Sequence, residues 1–295
     1  MRGNNFGKYF LAPVVLFAGL CLLAACRQDL FGFINPTDLN RRLEEKDSYK
    51  FLTPAELSPA DNAADWGSSF SFVVVADIHI ENEETYKLEA LMNKIAAGQI
   101  TAKGAAKDIK FVVLAGDISQ GGYRSELEKF IRAVEPVRAA GIPCYPVIGN
   151  HDIFFNNWRI WRELIGSTRY RVDGGGATLF VLDSANAFFG TEQLDWLDAE
   201  ITKTTGHVFV FSHGNLFVQN PTGVQQISDV RETARICSML KNRCAAMIMG
   251  HSHERCVKET GGVQYIAVES LRDNKTYCVI SVDGSGRVEY SFEEL

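Results

Sequence analysis

The chain has no Cys-x-x-Cys pair, no internal repeat and no low-complexity tract. The first absence argues against a cysteine-based zinc knuckle, and the second against a solenoid of stacked repeats. Positive charge is also scarce: 30 Lys and Arg stand against 36 Asp and Glu, for a net charge of −6. The one basic pair, Arg41-Arg42, is offset at once by Glu44-Glu45. Gripping nucleic acid through its phosphates needs basic stripes, so nucleic acid is not an expected partner. Long apolar runs are few. One extends from Tyr9 to Ala25, and its 17 residues fall short of the roughly 20 that span a bilayer.

That run follows Arg2 and Lys8 and ends in Leu23-Ala24-Ala25-Cys26. A basic segment, a short apolar segment and small residues form a secretory signal. The last four residues resemble a bacterial lipobox, which implies a signal peptide over 1–25 and a lipidated Cys26 at the mature N-terminus. Acyl chains would hold the protein at a membrane surface and leave the remaining chain in water. The expected location is therefore the bacterial cell envelope, outside the cytoplasm; Arg27 after the cysteine resembles an outer-membrane sorting signal. Loss of 1–25 removes two positive charges and no negative ones, taking the net charge from −6 to −8.

Residues 26–69 read as a tether and N-terminal extension, charged from Arg41 to Lys50 and rich in Pro, Ala, Asp and Asn from Thr53 to Ala64. From Phe70 onward strands and helices alternate. Phe70–Val75, Ile109–Leu114, Tyr145–Ile148, Thr178–Leu182, Val208–Phe211 and Ala245–Met249 are apolar, β-branched or aromatic runs. Leu88, Leu91, Met92 and Ile95 recur at helical spacing, as do Leu127, Phe130, Ile131 and Val134, and Leu194, Leu197 and Ile201. Three strand-like runs close the chain, Val263–Val268, Tyr277–Val282 and Arg287–Phe292, and predict a second sheet packed on the first. Cys144 and Cys278 fall in buried-type runs. Cys237, Cys244 and Cys256 are candidates for one disulfide in an oxidising compartment.

Five of the six histidines lie in short motifs that follow strand ends: Asp77-Ile78-His79, Gly149-Asn150-His151-Asp152, Ser212-His213 and Gly250-His251-Ser252-His253, with Gly116-Asp117 as a further member. In open α/β sheets ligands bind at the carboxyl ends of the strands. One Asp after a strand is ordinarily a helix cap; five such endings carrying carboxylate, imidazole and amide oxygen are a donor set for divalent cations and an oxyanion. If the Asp77–His79 segment is extended, these two residues point the same way and Ile78 points to the core. Gly116, Gly149 and Gly250 permit close backbone approach. His207 opens a strand and matches no motif, and Asp183 reads as a loop cap.

The ordered set resembles the calcineurin-like metallophosphoesterase family over roughly Phe70 to Leu295. The resemblance implies an α/β/β/α sandwich of two sheets between helices. It implies two divalent metal ions, drawn from Mn, Fe, Zn or Ni. Asp77, His79, Asp117 and His253 would hold one, and Asp117, Asn150, His213 and His251 the other, with Asp117 bridging. The implied activity is hydrolysis of a small-molecule phosphomonoester or phosphodiester by a metal-bridged hydroxide. His151 would be the proton donor or transition-state stabiliser, and Asp152 would orient its imidazole. Two departures stand out. Purple acid phosphatases have an iron-binding tyrosine where this chain has Gln120, so no tyrosinate is expected. Many relatives also have a proline soon after the late histidine, where this chain runs His213-Gly214-Asn215-Leu216. The competing reading is a non-catalytic envelope lipoprotein that uses the fold as a binding module; the complete set of seven ligands and His151 weighs against it.

Overall fold

A computed structural model describes residues 36–44, 48–58, 66–81, 85–217 and 226–295. The apolar run at the N-terminus and Cys26 lie outside the described residues. Among the described residues, no helix is long and apolar enough to cross a membrane.

Helices α1 (Pro36–Glu44) and α2 (Pro54–Leu57) precede the first strand, β1 (Phe70–Val75). Next come α3 (Thr85–Ala96), a small hairpin β2 (Thr101–Ala102) and β3 (Ala105–Ala106), β4 (Ile109–Ala115), α4 (Arg124–Ala139) and β5 (Cys144–Val147). A 3-10 turn at His151–Asn156 leads into α5 (Trp158–Leu164), β6 (Tyr170–Gly174), β7 (Ala177–Val181), α6 (Thr191–Ile201), β8 (His207–Phe211) and α7 (Val230–Leu240). The chain closes with β9 (Ala246–Met249), β10 (Cys256–Thr260), β11 (Val263–Ala267), α8 (Leu271–Asn274), β12 (Thr276–Val282) and β13 (Val288–Glu294).

One sheet has the order β13-β12-β1-β4-β5 and the other β10-β11-β9-β8-β7-β6. Each has a parallel centre: β1 pairs in parallel with β4 and β4 with β5, and β7, β8, β9 and β11 are successive parallel neighbours. Antiparallel strands extend the edges. β1, β7 and β9 are buried along their whole length, and β4 and β8 at all but one residue each, as strands covered on both faces are. Phe70 and Phe72 of the first sheet, with Phe111 stacked on Phe72, meet Phe209 and Phe211 of the second, with Phe72 and Phe209 edge to face at 5.2 Å. The alternate residues Val208 and Val210 belong instead to a second cluster with Leu194, Leu197, Ile236 and Leu240 of α6 and α7. The period of two along β8 thus divides the inner core from the outer helical layer. On the first sheet, α3 and α4 bury Leu88, Leu91, Leu127 and Phe130. The result is the expected α/β/β/α sandwich.

The strand partners depart from the sequence reading in one respect. The second sheet begins at β6, and only β10 and β11 of the late strands join it. β12 and β13 return to the first sheet, where β12 pairs with β1. Segment 36–58 also does more than space the domain from a lipid. Leu39, Leu43, Phe51 and Leu52 are buried, and the Arg42 guanidinium donates to Asp183 Oδ2 and Oδ1 at 2.7 and 2.9 Å and to Asn186 Oδ1 at 2.7 Å. Thr191 opens α6 at its first turn, and Gly190 occupies the cap position. The disulfide considered for Cys237, Cys244 and Cys256 does not form: among the described residues no two cysteines are bonded to each other.

Candidate metal centre

The motifs converge because parallel strands deliver their following loops to one edge. Asp77 follows β1, Asp117 follows β4, Asn150 and His151 follow β5, His213 follows β8, and His251 and His253 follow β9. Six of the seven candidate ligands are buried; His253 is partly exposed. His213 Nε2 lies 3.2 Å from Asp117 Oδ2 and 3.1 Å from Asn150 Oδ1. His253 Nε2 lies 3.3 Å from Asp77 Oδ1. His79 Nε2 lies 3.8 Å from Asp117 Oδ2 and 3.9 Å from Asp77 Oδ1. Asp77, His79 and His253 form one compact donor group, and Asp117, His213 and His251 another; a third joins His79, Asp117 and His151.

The segment carrying Asp77 and His79 is not the extended one expected. Asp77, His79, Asp117, His251 and His253 all have φ between 49° and 72°. Left-handed backbone is uncommon outside glycine and costs energy, so its concentration at five ligands marks a site where surrounding contacts hold the chain. Ile78 is nonetheless buried, as anticipated. The motif glycines make the approach possible. A Cβ on Gly149 would lie 2.2 Å from the Asp117 nitrogen, and one on Gly116 would lie 2.3 Å from His213 Nδ1.

Hydrogen bonds outside the cluster fix which ring nitrogen faces it. His213 Nδ1 donates to the Ala115 carbonyl at 2.9 Å, and His151 Nδ1 donates to the Gln120 carbonyl at 2.7 Å. A carbonyl only accepts, so Nε2 of each ring is left free of hydrogen in its neutral form. His79 Nδ1 is 3.1 Å from Gln120 Oε1, and His253 Nδ1 is 2.6 Å from Asp273 Oδ2. Arg272 joins these two partners: Nη1 donates to Gln120 Oε1 at 3.2 Å and Nε to Asp273 Oδ1 at 2.9 Å. Short helix α8 places this arginine, with the Arg272 amide and the Ser270 hydroxyl both donating to the Asp77 carbonyl.

The donor set fits divalent cations. His79 Nε2 and His253 Nε2 face each other across 3.2 Å, as do His213 Nε2 and His251 Nδ1. Opposed ring nitrogens repel unless a proton or cation lies between them. Burial alone would raise the Asp77 carboxyl, but the His253 hydrogen bond and the charges of His213 and His253 outweigh it. Burial likewise opposes ionisation of Asp117, yet the charges of His213, His151 and His79 hold it well below the usual carboxylate range. His213 is pushed up to about 10 and His253 to about 9, because Asp117, Asp77 and Asp273 overcome the burial of these rings. Burial depresses His79 to about 3 and, with the charge of His213, depresses His251 to about 4. Two buried carboxylates therefore demand positive charge at their centre, which metal ions supply in place of protons.

Asp152 departs from its expected role. Its carboxylate accepts from the Ser119 amide at 2.8 Å, the Ser119 hydroxyl at 2.6 Å and the Gly149 amide at 2.9 Å. Burial and the neighbouring Asp117 charge push it up to about 6 against these bonds. It staples the loop after β4 to the loop after β5, while the Gln120 carbonyl holds His151. Asp183 is the loop cap anticipated, accepting from the Ala185 amide, and Arg42 is its unforeseen partner. His207 stands at the opposite end of β8 from His213. No strand end or motif marks Arg272 and Asp273 in the sequence; the one signal is Ser270 three residues before Asp273, a helix-start pattern realised where the Asp273 amide donates to the Ser270 hydroxyl.

Comparison with known proteins agrees with this geometry. Residues 70–255 match the calcineurin-like phosphoesterase family. A probable cyclic nucleotide phosphodiesterase of Fibrobacter succinogenes is 25% identical over 193 residues, covering 61% of this chain and 71% of that protein. A dimetal phosphatase from Danio rerio superposes with a TM-score of 0.54 at 15% identity, over 75% of this chain and 98% of that one. A purple acid phosphatase from yellow lupin gives 0.56 at 13% identity, over 76% of this chain and 53% of that one. The chain belongs to the calcineurin-like phosphoesterase family and is a metal-dependent phosphoester hydrolase.

Proposed function

We propose that the protein hydrolyses small phosphate esters at a dinuclear centre. In this reading Asp77, His79, Asp117 and His253 hold one cation, and Asp117, Asn150, His213 and His251 the other. The observation that carries it is the position of Asp117, whose Oδ2 lies 3.2 Å from His213 Nε2 and 3.8 Å from His79 Nε2 and so belongs to both ends of the cluster. Two cations held there would polarise the phosphoryl oxygens and supply an activated nucleophile from water. Asp117 Oδ1 accepts the His151 main-chain amide at 2.8 Å, which ties the backbone at His151 to the carboxylate proposed to bridge. With Nδ1 committed to the Gln120 carbonyl, protonated His151 Nε2 can deliver a proton to the leaving oxygen and then take one back.

The relative from Fibrobacter supports a diester among the substrates, and the metal centre suits a monoester equally. We place the protein at the cell envelope, anchored by lipid on Cys26; the support is the basic segment, the apolar run and the small residues before that cysteine. Nucleotides, sugar phosphates and glycerophosphodiesters outside the cytoplasm are then the accessible esters. The test is a panel of aryl phosphomonoester, phosphodiester and phosphonate substrates with Mn, Fe, Zn and Ni. Turnover that requires metal and favours one ester class supports the proposal. No turnover of any ester by metal-loaded, folded protein refutes it.

A further inference from the structure

Two exposed aromatic side chains stand together, separated from His151 by the ring of Phe154. Phe155 is 69% exposed and Tyr123 is 50% exposed, and their rings lie 6.5 Å apart and 21° from parallel. They begin a row that leads inward. Phe155 meets Phe154 edge to face at 6.2 Å, Phe154 lies 4.3 Å from the His151 ring, and His151 lies 4.5 Å from His79 at the metal centre. The other large exposed apolar side chains, Tyr86, Val230 and Val257, are absent from this row. Scattered exposure needs no explanation, whereas rings aligned on a catalytic histidine do.

The backbone is built to present these rings. Phe155 has φ of 52° and Asn156 of 66°, a left-handed pair that follows Phe154, whose φ of −52° and ψ of 146° already leave the helical region. Such a conformation is unfavourable for a bulky residue, and it turns Phe155 outward when burial would be the favourable choice. On the facing loop, a Cβ on Gly121 would meet the Tyr123 ring at 2.6 Å, and one on Gly122, at φ +68°, would meet the Asp152 carbonyl oxygen at 2.6 Å. The Gly-Gly pair lets Tyr123 fold back over its own chain. Asn157 Nδ2 donates to the Gly121 carbonyl at 2.8 Å and ties the two loops, and Trp158 Nε1 donates to Asn156 Oδ1 at 2.5 Å within the second.

We propose that Tyr123, Phe154 and Phe155 form a stacking subsite for a planar aromatic group on the leaving side of the phosphate ester, of which a nucleobase is the type. The position follows from the chemistry. His151 serves the leaving oxygen, so whatever that oxygen carries extends outward along the row that starts at His151. A sugar bridges a phosphate and a base, and here the sugar would span from His151 to the exposed pair. Stacking on aromatic side chains tolerates any base, since each has a π-face. The inference rests on the function proposed above and narrows its substrates to nucleoside esters.

The test uses the full-length holoprotein loaded with Mn and compares adenosine with ribose as inhibitors of whichever aryl ester it turns over. Adenosine should bind about tenfold or more tightly than ribose, the scale of one base-stacking contact. Phe155→Ala should weaken adenosine about tenfold and leave ribose where it was, and Phe155→Tyr, which keeps the ring, should restore adenosine. Equal inhibition by the two in the parent protein, or an unchanged adenosine constant in Phe155→Ala, overturns the subsite while leaving the phosphoesterase reading intact. If no ester is turned over, that reading fails instead, and calorimetric binding of adenosine against ribose to the same protein decides the subsite by the same tenfold criterion.

Discussion

The two ends of the metal centre are held by different means. At the inner end His213 is buried and bonded to a main-chain carbonyl, that of Ala115, on the neighbouring sheet. The loop beside it is braced from outside the sandwich: Arg42 of α1 grips Asp183 and Asn186, and Ser184 between them accepts the Gly214 amide at 2.7 Å. Ser184, Ala185 and Ala187 line the cleft beside Asn150, His213 and His251. At the outer end His79 and His253 lean on side chains, Gln120 and Asp273, that share the part-exposed Arg272. A support built from main chain and a buried ion pair cannot shift without disturbing the fold, whereas one built from part-exposed side chains is tunable. The comparison teaches that one cation should be held as structure and the other exchanged more readily.

The severest way to break this picture is at the shared residue. Asp117→Asn removes the charge common to both ends, so it should abolish both metal equivalents and activity together, read by elemental analysis and turnover. If one equivalent survives at full affinity, Asp117 does not bridge. Next in size is His151→Ala. His151 shares a compact donor group with His79 and Asp117, so geometry alone admits it as a ligand of the outer end. The proton-donor reading requires both metals to remain, with turnover down by roughly 10²–10⁴ and a smaller loss for esters with acidic leaving groups such as nitrophenolate. Loss of one metal would instead place His151 among the direct ligands of the outer end.

Arg42→Ala tests the inner brace. Both Arg42 and Asp183 side chains are fully buried, so removing the cation strands a carboxylate, at a cost of about 3–5 kcal/mol. The urea midpoint should fall accordingly, and metal affinity at the outer end should hold in whatever fraction stays folded. A change below about 1 kcal/mol would show that α1 merely lies on the surface. The smallest effects belong to the outer end. Asp273→Asn or Arg272→Ala should weaken one of the two metals by about 10- to 100-fold, the usual scale for a lost partner behind a ligand, with the fold unaffected.

The same contrast explains what the sequence made legible. Every candidate ligand was readable because each ends an apolar strand, and the sandwich places all those ends at one edge. Parallel strands declared themselves through apolar runs, residues 111–115 in β4 and 208–211 in β8. The edge strands of the second sheet did not: β10 carries exposed Lys258 and Glu259, and β6 interleaves Arg171 and Asp173 with its buried residues. Pairing order was also hidden, since β12 is separated from its partner β1 by most of the domain and only tertiary packing selects that neighbour. The supports behind the ligands were the least visible. Arg272, Asp273 and Arg42 act through positions that no short spacing encodes, and Asp152 sits next to His151 in sequence yet turns to Ser119 and Gly149 in space.

The inequality of the two ends is most directly measured by calorimetric titration of Mn into chelator-treated protein, for the parent chain and for Asp273→Asn. The parent should take up two equivalents in two resolvable steps, and the substitution should shift the weaker step by about 10- to 100-fold while leaving the tighter one in place. Uptake of a single equivalent, or an equal shift of both steps, would contradict a centre with one structural and one exchangeable cation.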